Sequence, residues 1–206
     1  MVILNENNTA LDAVIFDLGN VLLDYNPRRF MAEMGIDPKY FDRLTAIFPE
    51  SKEWQDLDMG LISDDEFLSK ALYKEPLLRR EINLYHKHWY DYFKAIPKNV
   101  AAFYQLREAG VKTYILSNFQ ETCFRAEQEH NVFLDDFDGR VISFECHLRK
   151  PDPKIYELII DKYLLDPAHS VFIDDMDINI MAAKASGLQT ILLPIGGYIL
   201  DYLTIE

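Results

Sequence analysis

AVIFDLGNVLLD, residues 13–24, decides how this 206-residue chain is read. The run Ala13–Phe16 is apolar without interruption, ends at Asp17, and is followed by a turn-prone Leu18-Gly19-Asn20. A continuous apolar run of that length suits a strand buried on both faces, as in a parallel sheet. Four more runs of the same kind follow: KTYIL (112–116), RVISF (140–144), SVFID (170–174) and QTILL (189–193). Amphipathic stretches separate them: NVAAFYQLREAG stops at Gly110, DPKIYELIIDKYLL opens with Pro153 in its first turn, and INIMAAKASG stops at Gly187. This strand–helix alternation predicts an α/β fold, a doubly wound parallel sheet with right-handed crossovers.

Residues 25–94 read differently. They contain no convincing strand and carry Trp, Tyr, Phe and Leu at helical spacing, as in EWQDLDMGLISDDEFLSKALYKE (53–75) and RREINLYHKHWYDYFKAI (79–96). Ser63 is a candidate helix cap, with Glu66 as its capping-box partner. The expected organisation is a core of residues 1–24 and 95–206 and a small α-helical cap domain over 25–94. An insertion after the first strand leaves the sheet at its carboxyl edge, where α/β proteins bind ligands. The aromatic stretch LYHKHWYDYF (84–93) is expected to be cap core rather than a partner surface.

Composition narrows the function. With 34 acidic against 21 basic residues the net charge is −13, and no Lys/Arg cluster is longer than a pair such as Arg79-Arg80. Nucleic acid needs a basic stripe, so it is not an expected partner, and neither is an anionic membrane surface. No apolar run is long enough to span a bilayer, and MVILNENNTALD lacks a basic segment ahead of an apolar core; a cytoplasmic protein is expected. The two cysteines, Cys123 and Cys146, show no CxxC spacing and read as small buried hydrophobes rather than a zinc site. An anionic substrate would therefore require positive charge supplied locally, by a metal ion, a lysine and backbone N–H groups.

Four places at expected strand ends can do this chemistry. Asp17 is either a loop aspartate or a carboxylate nucleophile and metal ligand. Ser117 and Asn118, in VKTYILSNFQET, stand between a strand and a helix beginning near Glu121; they read as an ordinary cap or as an anion pocket. Lys150, in HLRKPDPKIY, lies in a loop fixed by Pro151 and Pro153, as a surface lysine or a point charge on phosphate. Asp174 and Asp175, in SVFIDDMDIN, repel one another unless a cation sits beside them, and Mg²⁺ suits such a pair.

Taken in order, FDLGNV, LSN, RKPDP and FIDD resemble the four motifs of the haloacid dehalogenase-like (HAD) hydrolase superfamily. The resemblance runs from about Ala13 to Leu193, with the helical insertion where that family carries its first type of cap, on a Rossmann-like core. It implies a Mg²⁺-dependent phosphatase acting on a small phosphorylated substrate, with an aspartyl-phosphate on Asp17. It also implies metal held by Asp17, Asp174, the carbonyl of Gly19 and Asp175, and phosphoryl oxygens bound by Ser117, Lys150 and the N–H of Asn118.

One position departs from the family. Phosphatases of this type usually carry an acid two residues after the nucleophile, and here Gly19 has no side chain. General acid catalysis contributes about 10²–10⁴-fold, so the loss has consequences. The DLGNV form, with the phrase DMGLISDDEF, is similar to the α-D-glucose-1-phosphate phosphatase subgroup, whose sugar 1-phosphate leaving group is an easier one. His86, His88 and Asp24 are the candidate substitutes for the acid. The alternatives are a haloacid dehalogenase, which needs neither acid nor metal, and a catalytically weak phosphate-binding module.

Overall fold

The computed structural model describes residues 1–206. Three short strands that the apolar pattern does not announce, β1 (Val2–Leu4), β2 (Thr9–Leu11) and, at the far end of the chain, Leu203–Ile205, form a separate antiparallel sheet with β1 in the middle. It ties the chain ends together: the Met1 ammonium donates to Glu206 O at 2.7 Å and Glu206 N returns to Met1 O at 2.9 Å.

β3 (Ala13–Phe16) is the centre of the main sheet. Its neighbours in the chain are helices: α1 (Pro27–Glu33), α2 (Phe41–Ile47), α3 (Lys52–Asp58), α4 (Asp64–Lys74) and α5 (Arg79–His88), with short 3-10 turns between them. The chain then alternates α6 (Pro97–Glu108), β4 (Lys112–Ser117), α7 (Glu121–His130), β5 (Gly139–Ile142), the single turn α8 (Ser143–Cys146), α9 (Pro153–Tyr163), β6 (Ser170–Asp174), α10 (Asp177–Ala185) and β7 (Gln189–Leu192). The terminal strand Leu203–Ile205 is β8. All five strands of the main sheet are parallel, in the order β5-β4-β3-β6-β7. This is the expected doubly wound α/β core.

Both faces of β3 are covered, which explains its unbroken apolar text. Ala13 and Ile15 pack with Phe172, Ile155 and Tyr156 on the face under α9 and α10. Val14 and Phe16 look the other way, towards Phe103 and Ala102 of α6. Phe16 meets Phe103 edge-on at 5.9 Å. That second face is continuous with the aromatic interior of the inserted helices, where Phe48 and Tyr85 lie 4.5 Å apart and Trp54 and Trp89 5.0 Å. Tyr85 and Trp89 are thus buried members of the LYHKHWYDYF stretch. Phe93 carries the packing across, 5.5 Å from Trp89 and 5.7 Å from Phe119 of the core.

Two local readings need correction. RVISF is not a strand throughout: β5 ends at Ile142, and Ser143 starts a helical turn. Ser143 is buried and polar, and its hydroxyl donates to Asp58 O at 2.5 Å while accepting from Phe119 N at 2.9 Å. Those bonds satisfy it only if the backbone turns there. The capping box at Ser63 is half formed. Glu66 N donates to Ser63 Oγ at 3.1 Å, but the Glu66 carboxylate pairs with Lys70 at 2.7 Å instead of reaching back.

Two chain crossings join the inserted helices to the sheet, and they are bonded to each other. Asp24 N donates to Lys94 O at 2.8 Å and Ile96 N to Leu22 O at 2.7 Å. The helices therefore enter and leave beside the carboxyl end of β3, directly above Asp17.

Candidate active site

The parallel register brings the strand ends together. Phe16 pairs with Ile115 on one side and with Ile173 on the other, so Asp17 emerges between Ser117 at the end of β4 and Asp174 at the end of β6. The chain leaves β3 towards β4 and β5 and then crosses to β6, so this is the point where the winding reverses.

Asp17 Oδ1 accepts from Leu18 N at 2.7 Å, from Ser117 Oγ at 2.7 Å and from Lys150 Nζ at 2.8 Å. Its other oxygen accepts from no protein group, and Asp17 lines a cavity. Lys150 Nζ also donates to Asp174 Oδ2 at 2.7 Å, and only 2% of the lysine is exposed. Asp174 is fully buried and further held by Met176 N at 2.8 Å and by Asn179 Nδ2 at 3.0 Å to each oxygen. Burial raises the pKa of Asp17, and Asp174 adds to the rise; the Lys150 charge pulls the other way. Burial alone would lower Lys150, but Asp17 and Asp174 outweigh it and hold the ammonium above its ordinary value.

Asp175 completes an acidic group: one oxygen from each of Asp17, Asp174 and Asp175 lies within 4.8 Å of the others. Burial raises Asp175 as well, against the hydrogen bond from Asn20 Nδ2 at 2.8 Å. Three clustered carboxylates facing one ammonium leave an excess of negative charge, and every donor is a hard oxygen. That set fits a divalent cation such as Mg²⁺ better than a soft metal. Asn20 reaches its position by a left-handed turn, φ +55°, with Oδ1 accepting from Tyr25 N at 3.1 Å.

Asn118 has a job the sequence did not disclose. Its side chain donates to Lys150 O at 3.0 Å and accepts from Lys150 N at 2.8 Å, a reciprocal clamp that sets the lysine loop against the end of β4. Neither Ser117 nor Asn118 caps α7; Gln120 occupies the cap position without a side-chain bond.

Above this cluster lies a cavity of about 450 Å³, lined on the floor by Asp17, Gly19, Asn20, Ser117, Lys150 and Asp175. Its walls are aromatic (Tyr25, Trp54, Trp89, Phe93 and Phe119), broken by Asp58, Gln120 and Arg149. None of the three proposed substitutes for the missing acid lines it. Asp24 pairs with Arg29 at 3.0 Å and His88 with Asp91 at 2.9 Å; His86 faces Asp64 in a different cavity. Asp58, Gln120 and Arg149 were missed, although Asp58 opens the phrase DMGLISDDEF. The signal was present as a phrase but not as a place in space.

The model of the haloacid dehalogenase-like hydrolases matches residues 11–187 of this chain. The chain is a haloacid dehalogenase-like hydrolase. Within this family it is similar to the sesquiterpene phosphatase astK of Aspergillus oryzae, 26% identical over 180 residues that cover 87% of this chain and 88% of the relative. It is also similar to (S)-2-haloacid dehalogenase 1 of a Pseudomonas species, 27% identical and covering 87% of this chain and 82% of the relative. Among solved structures, the HAD family enzyme bt-2542 of Bacteroides thetaiotaomicron, in complex with magnesium and inorganic phosphate, superposes with a TM-score of 0.74. That likeness is 22% in identity and covers 91% of this chain and 96% of the other. The HAD hydrolase at hand contains no helix long and apolar enough to cross a membrane.

Proposed function

We propose that this hydrolase is a Mg²⁺-dependent phosphatase that removes the phosphoryl group of a small phosphorylated metabolite, of the size of a sugar phosphate, through an aspartyl-phosphate on Asp17. The observation that carries it is the convergence of Lys150 and Ser117 on one oxygen of Asp17, beside a three-carboxylate cluster and beneath a ligand-sized cavity. Phosphoryl transfer needs just this, positioning and neutralisation of oxygen charge.

In this reading the free oxygen of Asp17 attacks phosphorus while Ser117 and Lys150 hold its partner oxygen in line. Lys150 and the N–H of Asn118 take phosphoryl oxygens, and Asn118 keeps the lysine loop in place. Asp17, Asp174 and the Gly19 carbonyl would hold the Mg²⁺, with Asp175 adding a direct or water-mediated contact. When bound, that ion offsets charge on the phosphoryl oxygens, which reconciles a chain of net charge −13 with an anionic substrate. Relatives support the direction: astK is a phosphatase by name, and bt-2542 was solved with magnesium and phosphate.

A panel of phosphorylated sugars, polyols and isoprenoid alcohols, assayed with Mg²⁺ and with EDTA, tests the proposal. Turnover that requires Mg²⁺ and vanishes in Asp17→Asn supports it; an Asp17→Asn enzyme of wild-type rate overturns the nucleophile. The dehalogenase reading rests on Gly19 and on the Pseudomonas relative. Chloride release from 2-chloropropionate in EDTA would establish it instead.

A further inference from the structure

Asp58 is a buried carboxyl with nothing to do. It closes α3, is 7% exposed, and its carboxyl forms no ion pair within the protein, with only the Gln120 amide and the Arg149 guanidinium as polar neighbours. It lines the cavity that also contains Asp17. A buried carboxyl without an ion pair is costly unless it is neutral or serves a ligand. Two more polar side chains of the same wall carry an unpartnered atom: Gln120 Nε2, on a residue 3% exposed, and Arg149 Nε. Three neighbouring polar groups in an otherwise aromatic wall, none with its full set of protein partners, mark where a ligand oxygen is received.

The position of Asp58 is built, not incidental. Its backbone oxygen takes the Ser143 hydroxyl at 2.5 Å, and the next carbonyl, Met59 O, is bonded to His147 Nδ1 at 2.7 Å. α3 is thereby pinned to the turn that follows β5. This is the turn that leads into Arg149 and Lys150, so the carboxyl and the phosphate-side lysine are set by one piece of backbone.

We propose that Asp58 is the acid–base residue for the leaving group, in place of the carboxyl that Gly19 lacks. The inference rests on the phosphatase reading above. In the first step an Asp17 oxygen forms a bond to phosphorus and the phosphorus–ester oxygen bond breaks; the Asp58 proton goes to that oxygen, giving the free alcohol and an Asp58 carboxylate. In the second, water attacks the phosphorus of the aspartyl-phosphate and gives a proton to Asp58. The bond to Asp17 breaks with its electron pair returning to the carboxylate, and inorganic phosphate leaves. The sum is ester plus water to alcohol plus phosphate.

Electrostatics suit the role. Burial pushes Asp58 up to about 7, with Arg149 and Gln120 pulling it back, so the group changes charge in the neutral range. The other titratable groups near it, the Tyr25 phenol and the Cys123 thiol, are both kept protonated by burial, which leaves Arg149 as the one neighbouring charge. Arg149 is a positioning residue in this scheme.

The test compares benzyl phosphate, whose alkoxide must be protonated, with p-nitrophenyl phosphate, whose leaving group needs no proton. kcat/KM is the readout, because it covers only steps up to formation of the aspartyl-phosphate. Asp58→Asn is expected to lose about 10²-fold or more on benzyl phosphate and only a few-fold on p-nitrophenyl phosphate. The wild-type profile on benzyl phosphate should fall above about pH 7, a limb that Asp58→Asn abolishes and Arg149→Met moves to higher pH. Equal losses on both esters, or none on either, overturn the inference while the phosphatase reading stands. If wild-type enzyme hydrolyses neither ester nor any member of the metabolite panel, the phosphatase reading itself fails. Should Asp58→Asn fold poorly by circular dichroism, Asp58→Glu and the Arg149→Met profile decide: an alkaline limb that Arg149→Met leaves in place overturns the assignment.

Discussion

Lys150 and Asp174 form a buried ion pair of 2.7 Å, and the same ammonium reaches Asp17 at 2.8 Å. One cation thus separates two carboxylates at the ends of adjacent strands. Lys150→Met would leave both facing each other without it. Breaking a buried pair costs about 3–5 kcal/mol. Thermal unfolding in EDTA should show a fall of that order, and Mg²⁺ should recover part of it, because the ion offsets the same charge. Phosphatase turnover should fall by about 10²-fold or more, as for loss of an oxyanion-stabilising group.

Metal binding should be visible without any substrate. A cation held at 100 times its Kd stabilises the fold by about 2.7 kcal/mol. Titrating Mg²⁺ into wild-type protein should raise its melting temperature, and Asp175→Asn should reduce the shift. Asp175 is the half-buried and least enclosed member of the cluster, held through Asn20, so its loss should leave the metal-free melt little changed.

Gly19 is not glycine for want of room. A Cβ there would meet nothing nearer than Tyr25 Cβ at 3.8 Å, and its φ is not in the left-handed region. Gly19→Asp should therefore fold with stability within about 1 kcal/mol of wild type. Introduced into Asp58→Asn, it should restore turnover of benzyl phosphate, since a carboxyl would again line the cavity. Absence of rescue with an intact fold would show that the new side chain does not reach the leaving group.

Gly60 is glycine for two reasons. Its φ is +64°, and a Cβ would stand 2.9 Å from Phe144 O, a backbone atom of α8. Gly35 shares the φ, +73°, but has open space around it. Gly35→Ala should cost about 1 kcal/mol from conformation alone. Gly60→Ala should cost more, about 1–3 kcal/mol, and should also depress activity, because α3 must shift away from α8 and carry Asp58 with it. Parallel urea melts and assays of the two variants separate the contributions.

Glu127 of α7 is buried, and burial pushes its carboxyl up to about 7, against the Asn131 hydrogen bond at 2.8 Å. The folded protein therefore binds this proton more tightly than the unfolded chain. Its contribution to stability is complete below the ordinary value of 4.5 and is lost as pH rises through about 7. Glu127→Gln keeps an acceptor for Asn131 without the charge. It should be about 2 kcal/mol more stable than wild type at pH 8 and no more stable at pH 4. A difference that does not vary with pH would contradict the assignment.

Much of this site was legible in the chain. The inner strands β3, β4 and β6 are largely continuous apolar runs because both their faces are covered, and that is a local property of five or so residues. A parallel register then puts the residue after each run at one edge, so Asp17, Ser117 and Asp174 had to converge once the sheet was parallel. Gly19 stands out as a missing acid only against the resemblance to the family, whose phosphatases usually carry one two residues after the nucleophile.

Other features depended on contacts between distant segments. β1, β2 and β8 are three residues each, too short to carry a pattern, and they exist because the two chain ends, some 200 positions apart, pair with each other. Asn118 reads as a turn residue until the Lys150 loop is seen clasped in its amide. Asp58 lies in a helix whose spacing says which face is buried but not what that face meets. Its place in the cavity that holds Asp17 follows from packing of α3 on α8 through Ser143 and Gly60, contacts that join residues 58–60 to 143–147. Strand ends and their motifs are set by short-range periodicity; the proposed acid–base partner of Asp17 is set by long-range packing. Asp17 was therefore found in the sequence, and Asp58 in the fold.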